Sequence, residues 1–143
     1  TYELSSAGSN ADDCGECAPN TPDLQYDDTY GSIIPQPVVD CALDLQVRYG
    51  FRESGGGVTY SHDPATPPAL AVDATPDLLK LGVVVQAGQR MRGRTMTKTP
   101  VRYDDAELRV DNLGNVIDVG LTATQQEYRW QVVEMTVPLE NLQ

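Results

Sequence analysis

The chain has 143 residues, a formal net charge of -11 at pH 7 and a pI near 4.2, which is long enough for one domain with a real core. That acidic balance argues against a nucleic-acid or anionic-membrane surface, since phosphate binding needs clustered Lys and Arg, and no stretch approaches the ~20 apolar residues of a membrane helix. With 12 Gly, 10 Pro and only 6% aromatic residues, the expected class is mainly β, an antiparallel sheet with long loops, forming one domain or part of one over 1–143.

Thr1-Tyr2-Glu3-Leu4 reads as a piece of strand rather than a start, so the expectation is upstream sequence that was either removed or never part of this polypeptide. Residues 5–37 are rich in Ser, Asn, Asp, Gly and Pro and carry no sustained apolar period, which predicts a long acidic loop ahead of a strand-rich core at 38–143. Loops beyond about 15 residues are uncommon unless functional or pinned. The pins are cysteines: Cys14 and Cys17 in a CGEC motif, and Cys41. Three cysteines and the single His62 fall short of the usual four zinc ligands, and Ala18 stands where a haem attachment motif needs His, so no metal site is expected. The remaining reading is an oxidising compartment with one disulfide, either within CGEC or from one of its cysteines to Cys41. A Cys17–Cys41 bridge would contribute roughly 3 kcal/mol by loop closure. Asp12, Asp13, Glu16, Asp27 and Asp28 lack the spacing of a calcium loop and read as a solvated face.

Val38, Val39 and Ala42 follow two prolines at close to helical spacing, which predicts a short helical turn. It feeds the clearest strand of the chain, Asp40 to Arg52. There Leu45, Val47, Tyr49 and Phe51 alternate with Gln46, Arg48, Gly50 and Arg52, the pattern of a strand with one buried face. Glu53-Ser-Gly-Gly-Gly57 is a hairpin turn into Val58-Thr59-Tyr60, without the Lys-Ser/Thr of a phosphate cradle. Residues 61–77, with Pro64, Pro67, Pro68 and Pro76, form a crossing loop.

Asp77 to Met91 is the second strong strand. Val84 sits on the face opposite Leu79, Leu81, Val83 and Val85, so this strand is expected to be central or partly covered on both sides. Arg90, Arg92, Arg94 and Lys98 then reverse the local sign of charge, as a solvated strand end or as a docking patch for an acidic partner. Glu107 to Leu121 predicts a hairpin around Asp111–Asn115. From Gln126 to Leu139 one long strand is expected, with Tyr128, Trp130 and Val132 on one face. Val133, Met135, Val137 and Leu139 follow on the other, which predicts a bulge near Val132 and Val133.

Catalytic machinery is not legible. There is no nucleophile elbow, P-loop or dinucleotide fingerprint, and the Asp pairs are adjacent in sequence, so on a strand they point to opposite faces. The expectation is a protein that is not an enzyme and needs no cofactor. Its candidate functional residues are the disulfide set Cys14, Cys17 and Cys41 and a partner-docking set of Arg90, Arg92, Arg94, Tyr128 and Trp130.

Three stretches, VVDCALDLQVRYGF at 38–51, LLKLGVVVQAGQR at 78–90 and YRWQVVEMTVPLENL at 128–142, together resemble the C-terminal half of a PilW-like minor pilin of the type IV pilus. That family is similar to the J-type minor pseudopilins of type II secretion. The sequence departs from the pattern at Glu140, where Arg normally precedes the closing Asn. It also lacks the prepilin cleavage motif, the N-terminal anchoring helix and the first part of the globular domain, so the expectation is a truncated or naturally separate polypeptide. The resemblance implies an α+β pilin-like fold whose β part is present here. It also implies a non-enzymatic subunit that acts in priming or at the tip of a pilus, first in the periplasm at the inner membrane and then at the cell surface. Its implied partners are other minor pilins or pilin subunits and a separate helix-bearing chain completing the domain; the membrane is reached only through the missing helix or that partner. The alternatives are, from another class, a ligand-binding or adhesive β-module at a cell or virion surface, and, within the resemblance, a minor pseudopilin of type II secretion.

Overall fold

The computed structural model describes residues 2–5, 17–26, 36–111 and 113–139. The chain is mainly β, as expected, with two antiparallel sheets. In chain order the strands are β1 (Tyr2–Leu4), β2 (Leu24–Tyr26), β3 (Gln36–Val39), β4 (Ala42–Arg52), β5 (Val58–Ser61), β6 (Leu78–Gln86) and β7 (Trp130–Pro138), with a 3-10 turn at Gln125–Glu127. One sheet has the order β1-β2-β3 and the other β5-β4-β6-β7. Among the described residues no helix is long and apolar enough to cross a membrane.

The chain divides into two compact units. The first comprises Thr1–Leu45, Val83–Val101 and Asp118–Val133, and the second Gln46–Gly82, Arg102–Ile117 and Glu134–Gln143.

In the first unit the small sheet sets β2 antiparallel to β1 (Tyr2 opposite Tyr26) and to β3 (Leu24 opposite Val39). The expected helical turn at 38–42 is therefore a strand. Its backbone is taken up by pairing with β2, and the chain then reverses through Cys41, whose φ of 56° cannot continue a right-handed helix. Residues 5–37 are likewise more than a loop. They supply β2, and Ala18, Thr21, Asp23 and Leu24 are buried. The rest of this core is Ala42, Val83, Val84, Val101, Leu121, Tyr128 and Trp130. The amide of Gln86 donates to the Cys41 carbonyl (3.1 Å) and that of Ala87 to Arg129 (2.7 Å), so the end of β6 is held from both sides. Gly82, Val83 and Val84 are all buried, which meets the expectation of a central strand covered on both faces.

In the second unit β4 and β5 form the expected hairpin, with Tyr49 opposite Ser61 and Arg52 opposite Val58. The turn closes through Glu53 N–H to Gly57 (2.9 Å) and Gly56 N–H to Glu53 (3.0 Å), with Gly56 at φ 82°. The core here is Phe51, Tyr103 and Leu108. On the apolar face of β4 only Phe51 is fully buried, while Leu45, Val47 and Tyr49 are half-buried. The opposite face holds the surprise. Arg48 is 2% exposed, because its guanidinium donates to the carbonyls of Val47 and Val110 and thereby meets its polar needs inside the unit.

Two further expectations change. The hairpin at 107–121 is reduced to the bridge Val110–Val116, because Asp105 caps the amides of Glu107 and Leu108 and curls 105–109 into a turn, while Val119 pairs instead with Val101. The last strand begins at Trp130, after the 3-10 turn, and changes its covered face later than expected: Val133 and Met135 are exposed, and the switch comes at Met135 and Thr136, both exposed, beyond which Val137 is half-buried. Glu134 stays on the covered side instead, where its carboxylate accepts the amides of Asp104 (2.7 Å) and Asp105 (3.2 Å).

Candidate functional site

The sequence candidates fall into the first unit. Cys17 and Cys41 are bonded, with Cα atoms 5.4 Å apart, and Cys14 lies outside the described residues. The bridge is embedded in a polar frame. Asp23, itself buried, accepts the Cys41 amide (3.0 Å), and the Ala18 amide donates to the Gln86 side chain (2.8 Å), whose Nε2 donates to Gly88 (3.0 Å). Asp23 and Gln86 carry no motif around them, so nothing in the sequence marked either as the disulfide's support.

Beyond β6 the chain forms a basic turn. Arg94 N–H donates to Met91 (3.2 Å), and Gly93 takes φ 72°, a value that glycine accepts without strain. The base of this turn is strapped to the 125–130 segment. Met91 N–H donates to Glu127 (3.1 Å), Met96 N–H to Gln126 (2.7 Å) and Thr97 Oγ1 to the Tyr128 carbonyl (2.9 Å), while Trp130 N–H donates to Thr97 Oγ1 (3.0 Å). Arg90 is ion-paired with Glu127 at 2.6 Å, and that hydrogen bond holds its guanidinium pKa above the usual value. Arg90, Arg92, Arg94 and Lys98 are exposed.

Tyr128 and Trp130 do not share that surface. They are 6% and 7% exposed, and the Trp130 indole donates to the Gln125 carbonyl at 2.8 Å. Both are core residues that build the floor under the turn, so the docking set contracts to its arginines. Aromatic residues on an alternating strand satisfy the core and an interface equally well, which is why sequence pattern alone could not separate the two.

A second polar cluster lies within the second unit. Burial lowers the pKa of Arg48, opposed by the charges of Glu107 and Asp111. Burial also lowers that of His62, and the neighbouring Arg48 adds to the effect, against a hydrogen bond to the Asp111 backbone. Asp111 itself organises the 111–115 tip. Its carboxylate accepts from the amides of Leu113 and Asn115 (both 2.8 Å) and from the Asn115 side chain (3.0 Å), which holds its pKa low. These groups latch a hairpin. Their donors and acceptors are spent on backbone, and among the described residues no group of three or more His, Cys, Asp or Glu is placed to hold a metal ion.

No protein-family model, curated protein or solved structure matches this chain.

Proposed function

We propose that this chain is a non-enzymatic, extracytoplasmic assembly subunit, a PilW-like minor pilin that takes part in priming a type IV pilus or in forming its tip through protein–protein contacts. The J-type minor pseudopilins of type II secretion are the near neighbours of this reading. The observation that carries it is where the three resembling stretches lie. Residues 38–51, 78–90 and 128–142 hold β4, β6 and β7, which are consecutive strands of one sheet although they are far apart in sequence. Scattered blocks that converge on adjacent strands are what a shared sheet requires. The Cys17–Cys41 bridge adds support for an oxidising compartment.

The test is the subunit composition of the native assembly together with the phenotype of a deletion. Co-purification of a helix-bearing pilin-like chain, and loss of surface pili when the gene is deleted, are the expected results. Normal pilus number after deletion, with a monodisperse protein that binds a glycan or receptor, overturns the proposal in favour of an adhesive module.

A further inference from the structure

All five Lys and Arg of the first unit fall in one place. Arg90, Arg92, Arg94 and Lys98 stand on the turn at 90–98. Arg129 enters beside its base, where a Cβ built on Gly88 would lie 3.9 Å from the Cβ of Arg129. Arg90 is spent on Glu127. Arg92, Arg94, Lys98 and Arg129 are exposed, and among the described residues none of the four has an ion-pair or side-chain hydrogen-bond partner. Nothing in the sequence pattern had joined Arg129 to the other three.

The turn is shaped before anything binds to it. Arg94 N–H closes it on Met91, with Gly93 at φ 72° between Arg92 and Arg94. Its ends are tied by the Met91 and Met96 amides to the 3-10 turn and by Thr97 to the backbone on either side of Arg129. Those Thr97 bonds fix the backbone of the fourth cation against that of the other three. Backbone held in this way loses little further entropy when a partner docks. Met91, 44% exposed, lies between Arg90 and Arg92 and offers an apolar contact amid the charge.

We infer that Arg92, Arg94, Lys98 and Arg129 form a docking site for a short acidic segment of another protein, with an apolar side chain of that segment against Met91. Guanidinium groups take carboxylates in pairs of parallel hydrogen bonds, which suits the three arginines. The extent of the charge decides among anions. A nucleic acid, an anionic polysaccharide or an anionic membrane carries its charge well past these four side chains and would meet the rest of a chain with 21 Asp and Glu. A peptide with a few carboxylates ends where the cations end. Met91 adds an apolar anchor that a peptide side chain can fill and a phosphate or sulfate group cannot. The inference stands on the charge and geometry of the turn and does not depend on the pilin reading.

The probe is a dye-labelled hexapeptide of glutamate and leucine, titrated with the full chain by fluorescence anisotropy. Its glutamine and leucine counterpart, a heparin fragment and phosphatidylglycerol vesicles are titrated beside it. Expected is saturable binding of the acidic peptide alone at about 0.05 M salt, weakening as salt rises to about 1 M. R92E/R94E should weaken it about tenfold and R129E by a smaller factor, whereas R92K/R94K, which keeps the charge, should retain most of it. Urea midpoints of these variants should match the parent, since the four side chains make no internal polar contact among the described residues. Absence of saturable binding, equal binding of the glutamine peptide, tighter binding of heparin or vesicles, or an affinity unchanged in either charge-reversal variant overturns the inference.

Discussion

Lys80 Nζ lies 2.8 Å from Asp105 Oδ2 and 4.4 Å from the centroid of Tyr60, so one ammonium is held by a carboxylate and by the face of a ring. Both side chains are largely covered, at 15% and 26% exposure. Burial alone would raise the pKa of Asp105, but hydrogen bonds from Lys80 and from the Glu107 and Leu108 amides hold it below the usual carboxylate value. Burial alone would lower that of Lys80, yet the hydrogen bond to Asp105 raises it. The pair therefore stabilises between two limits. Its contribution is lost as pH falls through the depressed value of Asp105, below 3.8, and as pH rises through the elevated value of Lys80, above 10.5. Lys80→Met should cost about 1–2 kcal/mol near neutrality and flatten both limbs of stability against pH in urea unfolding. Identical pH profiles for the variant and the parent would remove the pair from the account.

Gly82 is required by what sits against it. A Cβ there would lie 2.6 Å from Cε1 of Tyr103 and 3.0 Å from Leu108 Cδ1, and Tyr103 is fully buried with no room to retreat. Gly82→Ala should destabilise by about 1–3 kcal/mol, the usual cost of overpacking. Gly55→Ala, with nothing within 4 Å of the added atom, should change stability little. The comparison is read from urea midpoints at constant m value. Equal midpoints in the two variants would show that the ring yields.

What could be read in advance, and what could not, follows from the range of each interaction. The hairpin β4–β5 and the central position of β6 were legible because alternation, a glycine turn and Val84 are local signals. Burial of Arg48 was not, since the carbonyl that accepts from it belongs to Val110, 62 residues away, and an arginine between apolar neighbours otherwise reads as the solvent face. Glu134 misled in the same way. An acidic residue on a strand's covered side looks like the start of the change of face until the amides of Asp104 and Asp105 are known to meet it; the change itself comes only at Met135 and Thr136. β2 is only Leu24–Tyr26, too short for any period, and takes its form from the strands on either side.

The disulfide closes 24 residues of chain that contain β2 and β3. Cys41 also holds a left-handed backbone, with its amide on Asp23 and its carbonyl on Gln86, so the bridge joins two fixed points. Cys17→Ser and Cys41→Ser should each lose about 3 kcal/mol, and reduction of the parent should lose the same amount. Cys14→Ser should leave both the bridge and the stability unchanged. The measurements are urea unfolding and peptide mapping under non-reducing conditions, and a Cys14–Cys17 peptide in the parent would contradict the pairing.

Arg48 latches the Val110 carbonyl and lowers the pKa of His62. Replacing Arg48 by Met leaves that carbonyl without its donor, which should cost about 1–3 kcal/mol and accelerate amide exchange at Ile117, whose N–H is bonded to Arg109 at 2.6 Å in the same hairpin. His62 supplies an independent readout. Burial is the larger reason that its folded pKa lies below 6.5 and Arg48 the next, so Arg48→Met should move the titration part of the way back toward 6.5. For a histidine depressed in this way, the folded state keeps its advantage above 6.5 and loses it as pH falls through the folded pKa, because the unfolded chain takes the proton more readily. The acid limb of stability that belongs to His62 should therefore shrink in Arg48→Met, and should disappear in His62→Gln. An NMR titration of His62 that is unmoved by Arg48→Met would show that burial alone sets its pKa, and that the arginine serves only the carbonyl of Val110.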